Sequence, residues 1–289
     1  MPHTKGSKEF EFHAKDFERV RGLIYKRAGI SLADSKQEMV YSRLARRLRA
    51  TGIESFGKYL DDLEAGRLGE DEWEAFTNAL TTNLTSFFRE AHHFPLLAEH
   101  VRNKRETINI WCSASSTGEE PYSIAMTVCE AFNTLTPNCN IIATDIDTNV
   151  LAHAANGVYT MDRLDKMAPE RARRFFLRGK GDKAGYARVR PELRNLITFK
   201  QLNLLAESWP ISGQFDVIFC RNVMIYFDKA TQRKILSRFV PLMKPDALLF
   251  AGHSENFLYV SDALKLRGKT VYELDDQHRG AAQKAAARL

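Results

Sequence analysis

The chain has 289 residues, 44% of them hydrophobic and 27% charged, the balance of a globular protein long enough for two domains. Its four cysteines (Cys112, Cys129, Cys139, Cys220) share no CxxC spacing, which argues against a zinc site and a disulfide framework; no stretch approaches roughly 18 apolar residues, and the N-terminus lacks the apolar core of a signal peptide. Forty-two basic residues against 36 acidic ones leave a net charge of +6, which favours an acidic partner.

Residues 1–12 show no clear period and read as a tail. From Ala14 the apolar spacing becomes helical: Phe17, Val20 and Ile24 share one face, and Gly29 stops the helix. A second helix is predicted over 35–50 and closed by Gly52, with Val40, Leu44 and Leu48 buried and Lys36, Arg43, Arg46 and Arg47 along one flank. Further helices are predicted over 56–64 and around Trp73, Phe76 and Leu80. Residues 14–83 therefore read as an all-helical domain with a basic face, on which only Asp34 and Glu38 oppose the arginines between Arg27 and Arg49. Such a face is either simply solvated or meets an acidic partner.

Residues 84–107 read as a linker, in which polar Thr85 and Arg89 alternate with Phe87 and Phe88. His92 and His93 are adjacent and cannot share a helical face as paired metal ligands do, so they read as ordinary polar positions and no metal site is predicted. A helix is predicted from Pro95 to about residue 104.

From residue 108 strands and helices alternate. The run 108–112 reads as a buried strand, 113–118 as a loop of small and hydroxylated residues, and Glu119-Glu-Pro121 as the acidic first turn of a helix. Later strands are predicted over 140–144, 197–201, 215–220, 247–251 and 271–274, with helices from Asp147 to about 155 and from Asp228 to about 242, and a turn at Lys244-Pro-Asp246. This is an α/β pattern, a doubly wound, mainly parallel sheet over 108–275, followed by a tail, 276–289, that carries no evident role. One crossover, 158–195, is about forty residues long where roughly 10–15 would suffice. It holds a helix and two apolar-alternating arms around a loop with Gly179, Gly181 and Gly185, an inserted antiparallel hairpin whose exposed edge could accept a peptide strand.

Ligands of open α/β sheets bind beyond the carboxyl ends of the strands. There the chain places Ser113 to Glu119, then Asp145, Asn203 and Leu204, Arg221, Asn222 and Tyr226, and finally His253, Ser254 and Glu255. An acid ending the second strand suits a ribose diol. No Walker lysine, no run of glycines for a pyrophosphate and no GxSxG serine elbow is present. A ribose-holding acid without phosphate machinery fits a positively charged nucleoside such as S-adenosyl-L-methionine, and Glu119 suits its ammonium or sulfonium charge.

Several long motifs together resemble the chemotaxis receptor methyltransferases, the CheR family: Asn83-Leu-Thr-Ser-Phe-Phe-Arg89, Ser115-Ser-Thr-Gly-Glu-Glu-Pro-Tyr-Ser123, Ala143-Thr-Asp-Ile-Asp147, Phe215 through Arg221-Asn-Val-Met-Ile-Tyr-Phe227, and Phe250-Ala-Gly-His-Ser-Glu255. The resemblance covers about residues 14–275 and implies a cytoplasmic, monomeric enzyme that methylates glutamate side chains of chemoreceptors from S-adenosyl-L-methionine. It implies cofactor contacts at Asn83, Thr85, Arg89, Glu119, Asp145, Asn203, Leu204, Arg221 and Asn222, with Arg89 and Tyr226 near the transferred methyl. It also implies that the basic second helix (Arg43, Arg46, Arg47) meets the receptor's methylation helices. The hairpin with Gly179, Gly181 and Gly185 is similar to the part that docks a receptor's C-terminal pentapeptide in some members. Two other readings are weaker. A nucleic-acid methyltransferase would show an Asn/Asp-Pro-Pro-aromatic motif where this chain has Arg221-Asn-Val-Met, and an inactive receptor-binding module would not need Glu119, Asp145 and Tyr226.

Overall fold

The computed structural model describes residues 9–280. The expectations for 1–8 and 281–289 lie outside the described residues. The chain forms two compact units that divide between Thr82 and Asn83.

The first unit holds four helices, α1 (Ala14–Ala28), α2 (Gln37–Thr51), α3 (Phe56–Glu64) and α4 (Gly69–Leu80). Their apolar stripes meet in a core that includes Val20, Ile24, Val40, Leu44, Leu48, Phe56 and Phe76, all fully buried. The tail expected over residues 1–12 is in part ordered against this unit: the Phe12 ring lies 4.5 Å from that of Phe56, and Arg49 pairs with Glu9 at 2.6 Å.

The second unit opens with α5 (His93–Arg102), followed by β1 (Ile108–Cys112), α6 (Glu119–Ala131), β2 (Cys139–Asp145) and α7 (Thr148–Asn156). The inserted segment is β3 (Val158–Thr160), α8 (Pro169–Phe175), β4 (Phe176–Arg178), β5 (Tyr186–Val189) and α9 (Pro191–Arg194). The chain then returns through β6 (Ile197–Gln201), β7 (Phe215–Cys220), α10 (Lys229–Phe239), β8 (Met243–Ala251), β9 (Leu264–Gly268) and β10 (Val271–Leu274). The seven-stranded sheet has the order β6-β2-β1-β7-β8-β10-β9. Its first five strands run parallel, and β10 pairs antiparallel with both β8 and β9. All six residues of β7 are buried, because Val217 and Phe219 enter the core on one face of the sheet while Ile218 and Cys220 enter the core on the other.

Three details differ from the sequence reading. The segment 84–107 is no mere linker, since Phe94, Leu97 and Val101 of α5 enter one core of this unit and Phe88 N donates to Ser123 Oγ at 2.9 Å. Lys244-Pro-Asp246 makes no turn but a bulge inside β8, which pairs Met243 with Phe215 and then Leu248 with Val217. Pro245, lacking an N–H, is tolerated there, and Lys244 Nζ reaches the buried Asp216 at 2.8 Å. The edge strand β9 was not anticipated, because its exposed Lys265 and Arg267 and half-exposed Leu266 (39%) leave only Leu264 buried.

Candidate functional site: the carboxyl edge of the sheet

The chain winds from β1 to β2 and β6 on one side and later to β7 and β8 on the other, so the switch in direction lies between β1 and β7. The crevice beyond their carboxyl ends is where such sheets bind ligands. A cavity of about 320 Å³ lined by Asn109, Asn140, Asn195, Ser212 and Gln214 lies at the opposite, amino ends of the strands and collects none of the predicted site residues.

The loop after β1 is shaped by two left-handed residues, Ser116 (φ 47°) and Gly118 (φ 99°). A Cβ on Gly118 would stand 2.7 Å from Tyr159 Oη and 2.8 Å from Ala154 Cβ, so this glycine serves the packing of the loop on α7 and β3. Ser116 N donates to Asp145 Oδ2 at 2.8 Å, and Ser116 Oγ donates to Asn83 O at 3.1 Å. Asp147 N donates to the other Asp145 oxygen at 3.0 Å. Burial pushes the Asp145 carboxyl up to about 6 against those amide bonds. Asn83 Nδ2 donates to Asp147 Oδ2 at 2.8 Å, while Asp147 Oδ1 caps α7 through Asn149 N and Val150 N. Leu202 N donates to Asp145 O at 2.9 Å, which brings Asn203 and Leu204 beside the same acid; Asn203 Oδ1 accepts from Leu205 N at 2.9 Å.

Glu119, the first residue of α6, is 1% exposed. One of its oxygens accepts from Thr117 Oγ1 at 2.6 Å, and the other pairs with Arg163 from the turn that follows β3 in the inserted segment, which also donates to Thr85 O. Asn83, Thr85, Glu119, Asp145, Asn203 and Leu204 are thus drawn together around the ends of β1 and β2.

The remaining predicted residues form a second group. Phe88 and Glu90, both at φ 53°, place the intervening Arg89, whose guanidinium donates to Leu84 O at 2.9 Å. Together with Ser116 and Asn222 (φ 58°) they make four of the seven non-glycine residues with positive φ among the described residues, so backbone strain gathers at this site. Arg221 turns inward. Its side chain is 0% exposed; Nη1 meets Glu120 (2.6 Å) and Nη2 meets Arg89 O (2.5 Å) and Glu90 (3.4 Å), so it fixes the Arg89 backbone, while its Nε has no hydrogen-bond partner among the described residues. Burial raises the Glu120 carboxyl, opposed by Arg221. For Glu90 burial also pulls upward, but Arg221, His253 and Asn222 outweigh it and hold the carboxyl at about 2.

Glu255 locks the turn after β7. Its carboxylate accepts the backbone N–H groups of Gly252, Asn222, Val223 and Met224 at 2.6 to 2.9 Å. This clasp sets the short turn Met224–Tyr226, where Tyr226 is half-buried and its hydroxyl has no hydrogen-bond partner among the described residues.

Glu120, Glu90, Glu255 and Arg163 were not singled out as site residues from the sequence. The first two adjoin predicted residues within motifs and Glu255 stands at a strand end, whereas no local signal marks Arg163. His93 is not the ordinary polar position expected. It is fully buried, its Nε2 stands 2.9 Å from Lys269 O, and burial with the charge of Arg221 lowers it to about 4. Glu90, His92 and His93 bring one ligand atom each within 4.8 Å of one another, but the guanidinium on Glu90 opposes a cation there. His253 links Glu90 (3.2 Å) to Ser254 (3.0 Å), yet Arg221 and Asn222 already engage the carboxylate of this serine–histidine chain and the imidazole is 69% exposed.

Elsewhere the predicted residues scatter by role. In the first unit Arg43 donates to Ala79 O and Thr81 O, and Arg47 is bound to the 7%-exposed Glu72, which also accepts from Tyr59 Oη at 2.6 Å. Arg46 is exposed and unpaired among the described residues. In the insert, β5 is the centre of the sheet β3-β5-β4. A Cβ on Gly179 would collide with Lys183 O, and Gly181 (φ 54°) and Gly185 (φ 88°) are left-handed, so all three glycines shape the hairpin tip.

A doubly wound sheet with a buried acid ending β2 and another opening the helix after β1 is the arrangement expected of a Rossmann-like S-adenosyl-L-methionine-dependent methyltransferase. The particular family follows from the sequence comparisons: the CheR methyltransferase SAM-binding domain matches residues 83–272 and the CheR all-alpha domain matches residues 15–81. The chain belongs to the CheR methyltransferase family, as its motifs anticipated. It is 55% identical over 258 residues to the chemotaxis protein methyltransferase of Salmonella typhimurium, covering 89% of each chain. The corresponding figures are 57% over 258 residues for that of Klebsiella aerogenes (89% of each) and 52% over 270 residues for chemotaxis protein methyltransferase 2 of Pseudomonas aeruginosa (92% of this chain, 95% of that one).

Proposed function

We propose that the chain esterifies glutamate side chains on the cytoplasmic helices of chemotaxis receptors, with S-adenosyl-L-methionine as methyl donor, and that it works in the cytoplasm as a monomer. No described helix is long and apolar enough to cross a membrane. The observation that carries the cofactor reading is Asp145, a buried carboxylate whose two oxygens each hold one backbone amide and retain lone pairs for a diol. Glu119 supplies a second buried anion for the cofactor's ammonium. When bound, the cofactor supplies a methyl group on a positively charged sulfur.

The acceptor needs no general base, since a glutamate side chain with a pKa of about 4.3 is already ionised at neutral pH. The chain's work is alignment and partial exclusion of water. Arg89, held between its two strained neighbours, orients a carboxylate at the reacting end of the site. The Tyr226 hydroxyl orients the acceptor oxygen or the donor. Exposed Arg46 with Lys36 of the helical unit draws in the acidic receptor segment and raises the rate of encounter. The hairpin of the insert offers the β4 edge to a receptor's C-terminal pentapeptide. The experiment is incubation of methyl-labelled S-adenosyl-L-methionine with receptor-containing membranes, followed by alkali: carboxyl esters release volatile methanol. Label that enters nucleic acid or resists alkali would dismiss the proposal.

A further inference from the structure

No motif draws attention to Arg163. It follows β3 in the short turn Met161–Leu164, and one guanidinium nitrogen both pairs with Glu119 and donates to Thr85 O at 2.9 Å. The Glu119 side chain is 1% exposed and that of Arg163 39%, so a carboxylate cut off from water is neutralised by a cation that reaches in from solvent. The second Glu119 oxygen is taken by the neutral Thr117 hydroxyl two residues away.

Resting on the cofactor reading above, we propose that Arg163 is the resident counter-ion of Glu119, which the cofactor's ammonium displaces, so that Arg163 competes with the cofactor and sets its affinity. Both groups are cations addressed to one buried carboxylate, and two of them crowded there repel each other in a site of low dielectric. The half-exposed guanidinium can turn back to water, whereas Glu119 cannot. Whatever the pair contributes to the cofactor-free protein is subtracted from cofactor binding. The exchange is confined to one side chain, because the insert is held independently: Tyr159 Oη donates to Thr117 O at 2.7 Å, the Phe87 ring packs on Tyr159 and Phe176 at 5.0 and 5.5 Å, and Arg171 chelates Glu130 at 2.7 and 2.8 Å. S-adenosylhomocysteine carries the same ammonium, so the returning guanidinium also favours product release.

Calorimetric titration tests this without turnover. Wild type, Arg163→Gln and Arg163→Lys are titrated with S-adenosylhomocysteine and with 5′-methylthioadenosine, which keeps the nucleoside and thioether but lacks the ammonium. Arg163→Gln, which removes the charge and keeps a polar chain, should bind S-adenosylhomocysteine roughly two- to fivefold tighter and methylthioadenosine with unchanged affinity. Arg163→Lys, which keeps a cation, should stay close to wild type with both. Unchanged or weaker S-adenosylhomocysteine binding by Arg163→Gln overturns the proposal. So does equal tightening for both ligands, or tightening by the lysine variant. A wild type that fails to bind S-adenosylhomocysteine at all removes the cofactor reading itself.

Discussion

Replacing Asp145 by asparagine tests whether the acid at the end of β2 is kept ionised against its surroundings. Burial raises its carboxyl from an ordinary 3.8 to about 6. Because the folded value lies above the unfolded one, the native state holds the proton more tightly: this group burdens stability least below about 3.8, and the burden grows as pH rises towards 6 and levels off above it. At about 1.4 kcal/mol per pH unit, the ionised carboxylate costs the cofactor-free protein roughly 3 kcal/mol near pH 7. D145N escapes that cost, but its amide nitrogen must face one of the two N–H groups that donate at 2.8 and 3.0 Å. That clash costs about 1–3 kcal/mol at every pH. The pH dependence is therefore the diagnostic. In urea unfolding of both proteins, the stability difference should move in the variant's favour by about 2 kcal/mol between about pH 4.5 and about pH 7.5. A difference that stays flat over that range refutes the reasoning. In parallel, D145N should bind S-adenosylhomocysteine about tenfold or more weaker, the loss of charge-assisted hydrogen bonds to the ribose.

Three further outcomes are expected. Tyr226→Phe should lower kcat about tenfold or more while leaving the Kd for S-adenosylhomocysteine unchanged, because the hydroxyl acts on the reacting groups; full kcat would remove it from the mechanism. Arg221→Met should lower stability in urea by about 3–5 kcal/mol, since it strands Glu120 and Glu90 in the core, and a variant as stable as wild type would show that the buried network is not what fixes Arg89. Arg46→Glu should leave stability within about 0.5 kcal/mol and slow receptor methylation most at low salt, whereas Arg47→Ala should cost about 1–3 kcal/mol because it leaves the buried Glu72 without its cation. The reverse ranking in the two assays would contradict the division of labour assigned to α2.

What the sequence disclosed depended on how far each interaction reached along the chain. Strands buried on both faces, such as Phe215–Cys220, stand out as apolar runs, and Asp145 directly ends the apolar run of β2, so the sheet and Asp145 were legible. Strand β9 was not, because an edge strand with one solvated face and a lysine and an arginine at its centre lacks that signal. The basic flank of α2 was visible as a pattern, but periodicity cannot show that Arg47 meets Glu72, 25 residues on, and so belongs to the core of its unit. The pairs that set the site span longer gaps still: Glu119 and Arg163 are 44 residues apart, and Arg221 meets the Arg89 backbone across 132. Local pattern carries no information about such partners, and only the fold brings them together.

The central claim, methyl transfer to receptor glutamates, is tested most directly by mapping the product. A receptor cytoplasmic fragment incubated with this protein and S-adenosyl-L-methionine would be digested and its peptides fragmented in a mass spectrometer. The account predicts a methyl increment localised to glutamate carboxyl groups, removed by mild alkali and absent with D145N at limiting cofactor. Increments on lysine or on the backbone, or an unmodified fragment despite measurable S-adenosylhomocysteine binding, would contradict it.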